Sequence, residues 1–261
     1  MKIEEFISRV EKIFPTATAM FGDKIGLQLQ SNNSDVQRIM IAFEVTPGVI
    51  AEAVSMQADM LLTFHPLIYS SLAQITNNDR VGNLVTQLIQ NKISLYVVHT
   101  NFDTYRYGTN KLLADSLGLK VESFLLPDKV HPECGMGVIT SADTPLSAVE
   151  LLDRVKRICN SPIRFNSLPQ EKLFSKIAIV GGSGFSFVSE VLANKCDAFI
   201  TADCSYHKFH EISDSLLLID PGHFEMEQFV ARGIYGAIKE KFDGEIELII
   251  SGVDTNPVRY Y

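Results

Sequence analysis

The 261-residue sequence has only four cysteines, Cys134, Cys159, Cys196 and Cys204, and no two of them form a CxxC pair. No disulfide framework is implied, so reduced thiols in a cytoplasmic protein are the expectation. Basic runs are also missing. Against 31 Asp and Glu stand 23 Lys and Arg, a formal charge of −8, and affinity for phosphate backbones comes from clustered cations, so nucleic acid is disfavoured as a partner. No apolar run approaches the roughly 18 residues of a membrane span, and the first residues do not resemble a secretion signal. What is present is 46% hydrophobic residues, enough to build the core of one large or two modest domains.

Strand-like and helix-like segments alternate, which predicts an α/β protein with mixed, mostly parallel sheets flanked by helices. A helix over 3–14 is stopped by Pro15. Strands are expected at 38–43, 60–64 and 93–98, with helices at 47–57 and 81–90 and another in "GTNKLLADSLGL" that ends at Gly118 as a C-cap. Turn formers crowd 125–135, "LLPDKVHPECG", and mark a lobe boundary. A second series follows: strand 137–140, helix 145–158 capped by Thr144, strand 176–180, helix 187–193, and strands 198–201 and 216–219. An amphipathic helix over 223–242 and a strand over 245–250 close the chain. The expected division is 1–124 with 220–261 as a first lobe and 125–219 as a second.

Four metal-capable side chains fall where a strand should end or a helix begin: His65 in "LLTFHPL", Asp103 in "VVHTNFD", and His223 with Glu227 in "DPGHFEMEQ". Carboxyl ends of strands are where α/β proteins build sites, and an i,i+4 spacing projects His223 and Glu227 from one helix face. Imidazole with carboxylate suits Zn, Mn, Fe or Ni. Each residue alone has a plainer reading as a packed histidine, a loop aspartate or a helix-surface pair. Together they outweigh it. "GGSG", Gly181, Gly182, Ser183 and Gly184, follows a predicted strand and offers amides to an anion, or is simply a tight turn. "TADCSYH" places Asp203 and His207 at another strand end, as proton-transfer groups or as a helix cap. His99 either orients the site or is a buried neutral histidine. Cys204 has no basic neighbour in sequence to activate it and reads as structural.

The ordered set "DMLLTFHPLIY", "LYVVHTNFD", "GTNKLLADSLGL", "IAIVGGSG", "FITADCSYH" and "LIDPGHFEMEQ" resembles the NIF-three-like family, also labelled GTP cyclohydrolase 1 type 2 homologues, in its short form without a middle insert domain. The resemblance runs from the first strand to "VDTNPV". It implies two related α/β lobes, a toroidal homohexamer and a two-metal site with His65, Asp103, His223 and Glu227 as ligands. Two positions depart from the family pattern: where many members carry two adjacent histidines, this chain has Phe64 before His65, and Glu44 stands where Asp is usual. The Phe64 departure turns the two-metal implication into an expectation of one or two divalent ions per chain.

A two-metal site would activate water for hydrolysis. The expectation is therefore a metal-dependent hydrolase of a nucleotide or related small anion, with His207, Asp203 and His99 as proton-transfer candidates and Gly181 to Gly184 near a phosphate. The competing expectation is a non-catalytic metal-binding ring that acts as scaffold or regulator.

Overall fold

Arg38–Ala42, Met60–Thr63 and Ser94–Val97 are almost wholly buried, the pattern of parallel strands covered on both faces. They pair in parallel, with Ala42 opposite Thr63 and Thr63 opposite Val97, so all three end at one edge. Glu247–Ile250 adds in parallel beside Arg38–Ala42, and Gly26–Leu29 runs antiparallel beside Ser94–Val97, giving five strands. In the computed structural model, which describes residues 1–32, 34–167, 171–212 and 216–261, this sheet belongs to one compact unit, Met1–Phe102 with Val230–Pro257.

The flanking helices of this unit start at local signals. Pro47–Ser55 has Pro at its first turn and Thr46 Oγ1 accepting from the Val49 amide at 3.2 Å, and Arg80–Gln90 begins with Asp79 Oδ1 accepting from the Gly82 amide at 2.8 Å. Such caps contribute about 1 kcal/mol each. Ala53, Leu84 and Leu88 pack with Leu61 and Leu95 from the sheet. The long amphipathic helix expected over 223–242 is broken: it forms as His223–Glu227 and Val230–Ile238, with a 3₁₀ turn at Lys239–Lys241.

The second unit, Asp103–Phe229 with Val258–Tyr261, holds a six-stranded sheet. Its order is Lys120–Pro127, Gly135–Ser147, Leu173–Ile179, Ala198–Ile200, Leu217–Asp220 and Arg164–Phe165. Only the Leu173–Ile179, Ala198–Ile200 and Leu217–Asp220 strands pair in parallel; the three outer pairings are antiparallel. Both sheets are mixed and flanked by helices, but the mostly parallel description holds for the first sheet alone.

The lobe boundary also moves. Residues 125–135 do not separate lobes, because Pro127 pairs with Gly135 across an antiparallel hairpin inside one unit. The units exchange at 102/103, 229/230 and 257/258, in place of the expected 124/125 and 219/220. Helix Ala148–Cys159 starts at Ser147 instead of Thr144, since 146 and 147 are still paired with Phe174 and Leu173. Ser147 and Glu150 then form a reciprocal capping box. Leu151, Val155 and Cys159 lie on the buried face of this helix, against Phe174 and Ile177.

Candidate metal centre

In the second unit the three parallel strands deliver their loops to one edge, as open α/β sheets do at a binding crevice. Leu173–Ile179 runs into the turn from Gly181 to Gly184. The Gly181 amide donates to Asn110 Oδ1 at 2.8 Å, and the Gly184 amide donates to Thr201 Oγ1 at 2.8 Å. Two of the four amides expected to face an anion are therefore spent within the protein. Asn110, 2% exposed, also donates from Nδ2 to the Asp103 carbonyl at 2.9 Å, tying the buried Asp103 to the glycine turn.

Gly182 has φ of +58°, a region that costs an L-residue roughly 1–2 kcal/mol. A Cβ there would lie 2.6 Å from Glu227 Oε1 and 3.0 Å from His223 Nε2. The missing side chain keeps those two groups open toward the turn. His223 begins the five-residue helix His223–Glu227, and its two ring nitrogens meet different carboxylates. Nδ1 is 2.7 Å from Asp203 Oδ2, and Nε2 is 3.1 Å from the buried Glu227 Oε2. Burial opposes charge on this imidazole, but the hydrogen bonds and charges of Asp203 and Glu227 prevail and raise its pKa to about 11. The same bond to His223 lowers the Asp203 pKa.

One imidazole between two carboxylates is a donor set in which a divalent cation could take the place of the proton. His223 and Glu227 fit such an ion, since both belong to a group of side chains that could hold a metal. His207 is exposed on the first turn of Tyr206–Glu211, its ring edge-on to Tyr206 at 5.4 Å, and among the described residues it makes no hydrogen bond.

The first unit presents a different edge. After Arg38–Ala42, Met60–Thr63 and Ser94–Val97 come Glu44, His65 and His99. Glu44 bonds Arg80 at 2.6 Å and lies 3.9 Å from His65 Nδ1, and it has a lowered pKa, chiefly through His65. The His65 ring packs against Phe43 at 4.5 Å, Phe64 at 5.1 Å and His99 at 5.5 Å. Phe64 is fully buried and supplies an aromatic face where a nitrogen donor was the family pattern. His99 Nδ1 contacts both oxygens of Asp23 at 2.9 and 3.0 Å, and Thr100 donates to Asp23 from its amide and from Oγ1.

Asp23 and Asn110 escaped the sequence reading. "GDK" and "TNK" look like ordinary turn and cap chemistry, and nothing local shows that Asp23 receives bonds from 77 residues away. Burial of Asp23 opposes its charge, but His99 and Thr100 win and hold its carboxyl well below the usual range.

The Duf34/NIF3 (NGG1p interacting factor 3) profile matches residues 1–257. A Clostridium perfringens protein named GTP cyclohydrolase 1 type 2 homolog is 29% identical over 261 residues, covering 100% of both chains. A Streptococcus pneumoniae protein of the same name is 30% identical over 267 residues, again across 100% of both. Among solved structures, a Bacillus cereus protein related to NIF3 matches with a TM-score of 0.92 at 22% identity, over 100% of this chain and 99% of that one. That likeness shows the fold.

Proposed function

The chain belongs to the Duf34/NIF3 family, and from that premise we propose that it is a metal-dependent hydrolase of a nucleotide or related small anion. The observation that carries this reading is His223, held between Asp203 at 2.7 Å and Glu227 at 3.1 Å beside a glycine turn with no room for a side chain. The proposed ligands are His65, Asp103, His223 and Glu227, for one or two ions of Zn, Mn, Fe or Ni. When bound, such ions lower the pKa of a coordinated water and steady charge as it develops.

The protein's own groups do the positioning. Asp203 Oδ2 accepts the Nδ1 proton of His223 and so leaves Nε2, beside Glu227, as the nitrogen that would hold a metal, a carboxylate role common around ligating imidazoles. Glu227, 2% exposed, brings charge that only a cation or a proton can balance there. The amides of Gly182 and Ser183 are the ones assigned to a substrate phosphate, and Asp203, His207 and His99 are assigned to proton transfer. The name carried by the relatives points to a C–N bond of a purine ring as the bond cleaved. In this proposal the protein is a cytoplasmic, toroidal homohexamer. Four buried free thiols suit a reducing compartment, and light scattering should count six chains per particle. Among the described residues no helix is long and apolar enough to cross a membrane.

The test is elemental analysis of protein purified without chelators, beside His65→Ala and Glu227→Ala, followed by a nucleotide screen. One to two ions per wild-type chain, lost in the variants, with turnover of a nucleotide, is the expected result. Metal without turnover would instead favour a metal-binding scaffold or regulator. The buried Phe64 ring, packed on Phe43, Phe102 and His99, favours that second reading, since it offers no donor for a second ion. Asp103→Asn separates the two: it abolishes activity in an enzyme and only lowers metal content in a scaffold.

A further inference from the structure

Asp220 has no assigned part in the site, yet both ends of the Asp203–His223 contact hang on its carboxylate. It ends the strand Leu217–Asp220, is 2% exposed, and is directly opposed in register by Arg164 on the edge strand. Cross-strand neighbours of opposite charge reach each other easily, and Arg164 Nη2 bonds Asp220 Oδ2. The same oxygen accepts the Cys204 amide at 3.0 Å, and Oδ1 accepts the Gly222 amide at 3.0 Å. Each of those amides adjoins a backbone position that needs holding. Asp203, just before Cys204, has φ of +54°, and Gly222, just before His223, has φ of +96°. Left-handed positions persist where surrounding bonds over-determine them. Ser161 Oγ adds a buried bond of 2.5 Å to the Pro221 carbonyl.

We propose that Asp220 is a positioning residue that clamps the Asp203 and His223 turns together, and that Arg164 holds Asp220 in place; the inference rests on His223 being a metal ligand with Asp203 behind it. A carboxylate is required because three donors converge on it. An amide at this position would turn a donor toward an N–H group and leave Arg164 unbalanced. Outer partners of metal-binding histidines typically change metal affinity by roughly 10–100-fold when removed.

The experiment takes full-length, chelator-stripped wild type, Asp220→Asn and Arg164→Gln, with circular dichroism to establish folding. It reads two quantities: the Zn²⁺ dissociation constant by calorimetry, and the NMR signal of the His223 Nδ1 proton, which does not depend on metal. Asp220→Asn should bind Zn²⁺ roughly 10–100-fold more weakly and lose the sheltered Nδ1 signal. Arg164→Gln, altered at an exposed side chain, should move both quantities in the same direction by less. If Asp220→Asn does not fold, Arg164→Gln decides alone. Wild-type values of both quantities in the folded variants would overturn the clamp. If the wild type bound no Zn²⁺, the ligand reading would fail, while loss of the Nδ1 signal would still support the clamp and its retention would still overturn it.

Discussion

Two sheet edges of similar construction carry opposite chemistry. In each unit three parallel strands stop in register and release polar residues into the loops beyond. In the first unit those residues are the imidazoles of His65 and His99, set among the rings of Phe43 and Phe64. In the second they are Asp203, His223 and Glu227 around a glycine turn. Topology supplies the platform and the side chains decide its use. On the second edge two carboxylates crowd one imidazole, whereas on the first Glu44 is matched by Arg80 and Asp23 by His99 and Thr100 beside packed rings.

If that division is right, Phe64→Ala should have the largest effect on stability, a loss of about 3–5 kcal/mol from emptying a buried aromatic site. Denaturant unfolding measures it, and the His223 Nδ1 resonance should survive in the folded variant. Gly182→Ala should have the reverse signature. Its backbone penalty is about 1–2 kcal/mol, but its Cβ would meet Glu227 and His223, so metal content by elemental analysis should fall to background.

The edges should also respond to opposite ends of the pH scale in metal-free protein. His223 has a raised pKa of about 11, so its contribution is complete below the unfolded value of ~6.5 and disappears as pH rises through about 11. Asp23 is depressed, so its contribution is present above ~3.9 and disappears as pH falls through the folded pKa. Melting temperatures across pH should lose their alkaline fall in His223→Gln and part of their acid fall in Asp23→Asn. Unchanged profiles in both would dissolve the distinction. The smallest effect belongs to Arg80→Gln, which removes a surface partner of Glu44. Stability should change by less than about 1 kcal/mol, with metal content unaltered.

Much of the fold was legible. The runs at 38–43, 60–64 and 93–98 announce parallel strands because both faces are apolar, and Arg38–Ala42, Met60–Thr63 and Ser94–Val97 form there. Three strands were not legible. Gly26–Leu29, Lys120–Pro127 and Arg164–Phe165 sit at sheet edges and are largely half-buried or exposed, so their sequences carry little apolar signal. The helix expected to run on from His223 fails to do so, and periodicity alone does not reveal a break at 228–229. For the site, spacing exposed the His223 to Glu227 pair because i,i+4 is a local relation. Asp220, Asn110 and Asp23 act through partners brought close only by tertiary pairing, and no local pattern announces them.

Asn110 carries a consequence for the order in which the chain takes shape. Its amide bridges the Asp103 carbonyl and the Gly181 amide, 71 positions away, and Ser161 reaches Pro221 across 60. Closing such loops costs entropy before it returns any bonding. During synthesis Asp103, Asn110 and the glycine turn all precede the strand Leu217–Asp220 and the helix after it. A nascent chain shorter than that lacks His223 and Glu227, two of the four ligands proposed for a metal. Under the proposed function, metal capture would thus be a late event of biogenesis, open only to a chain whose second sheet is already laid down.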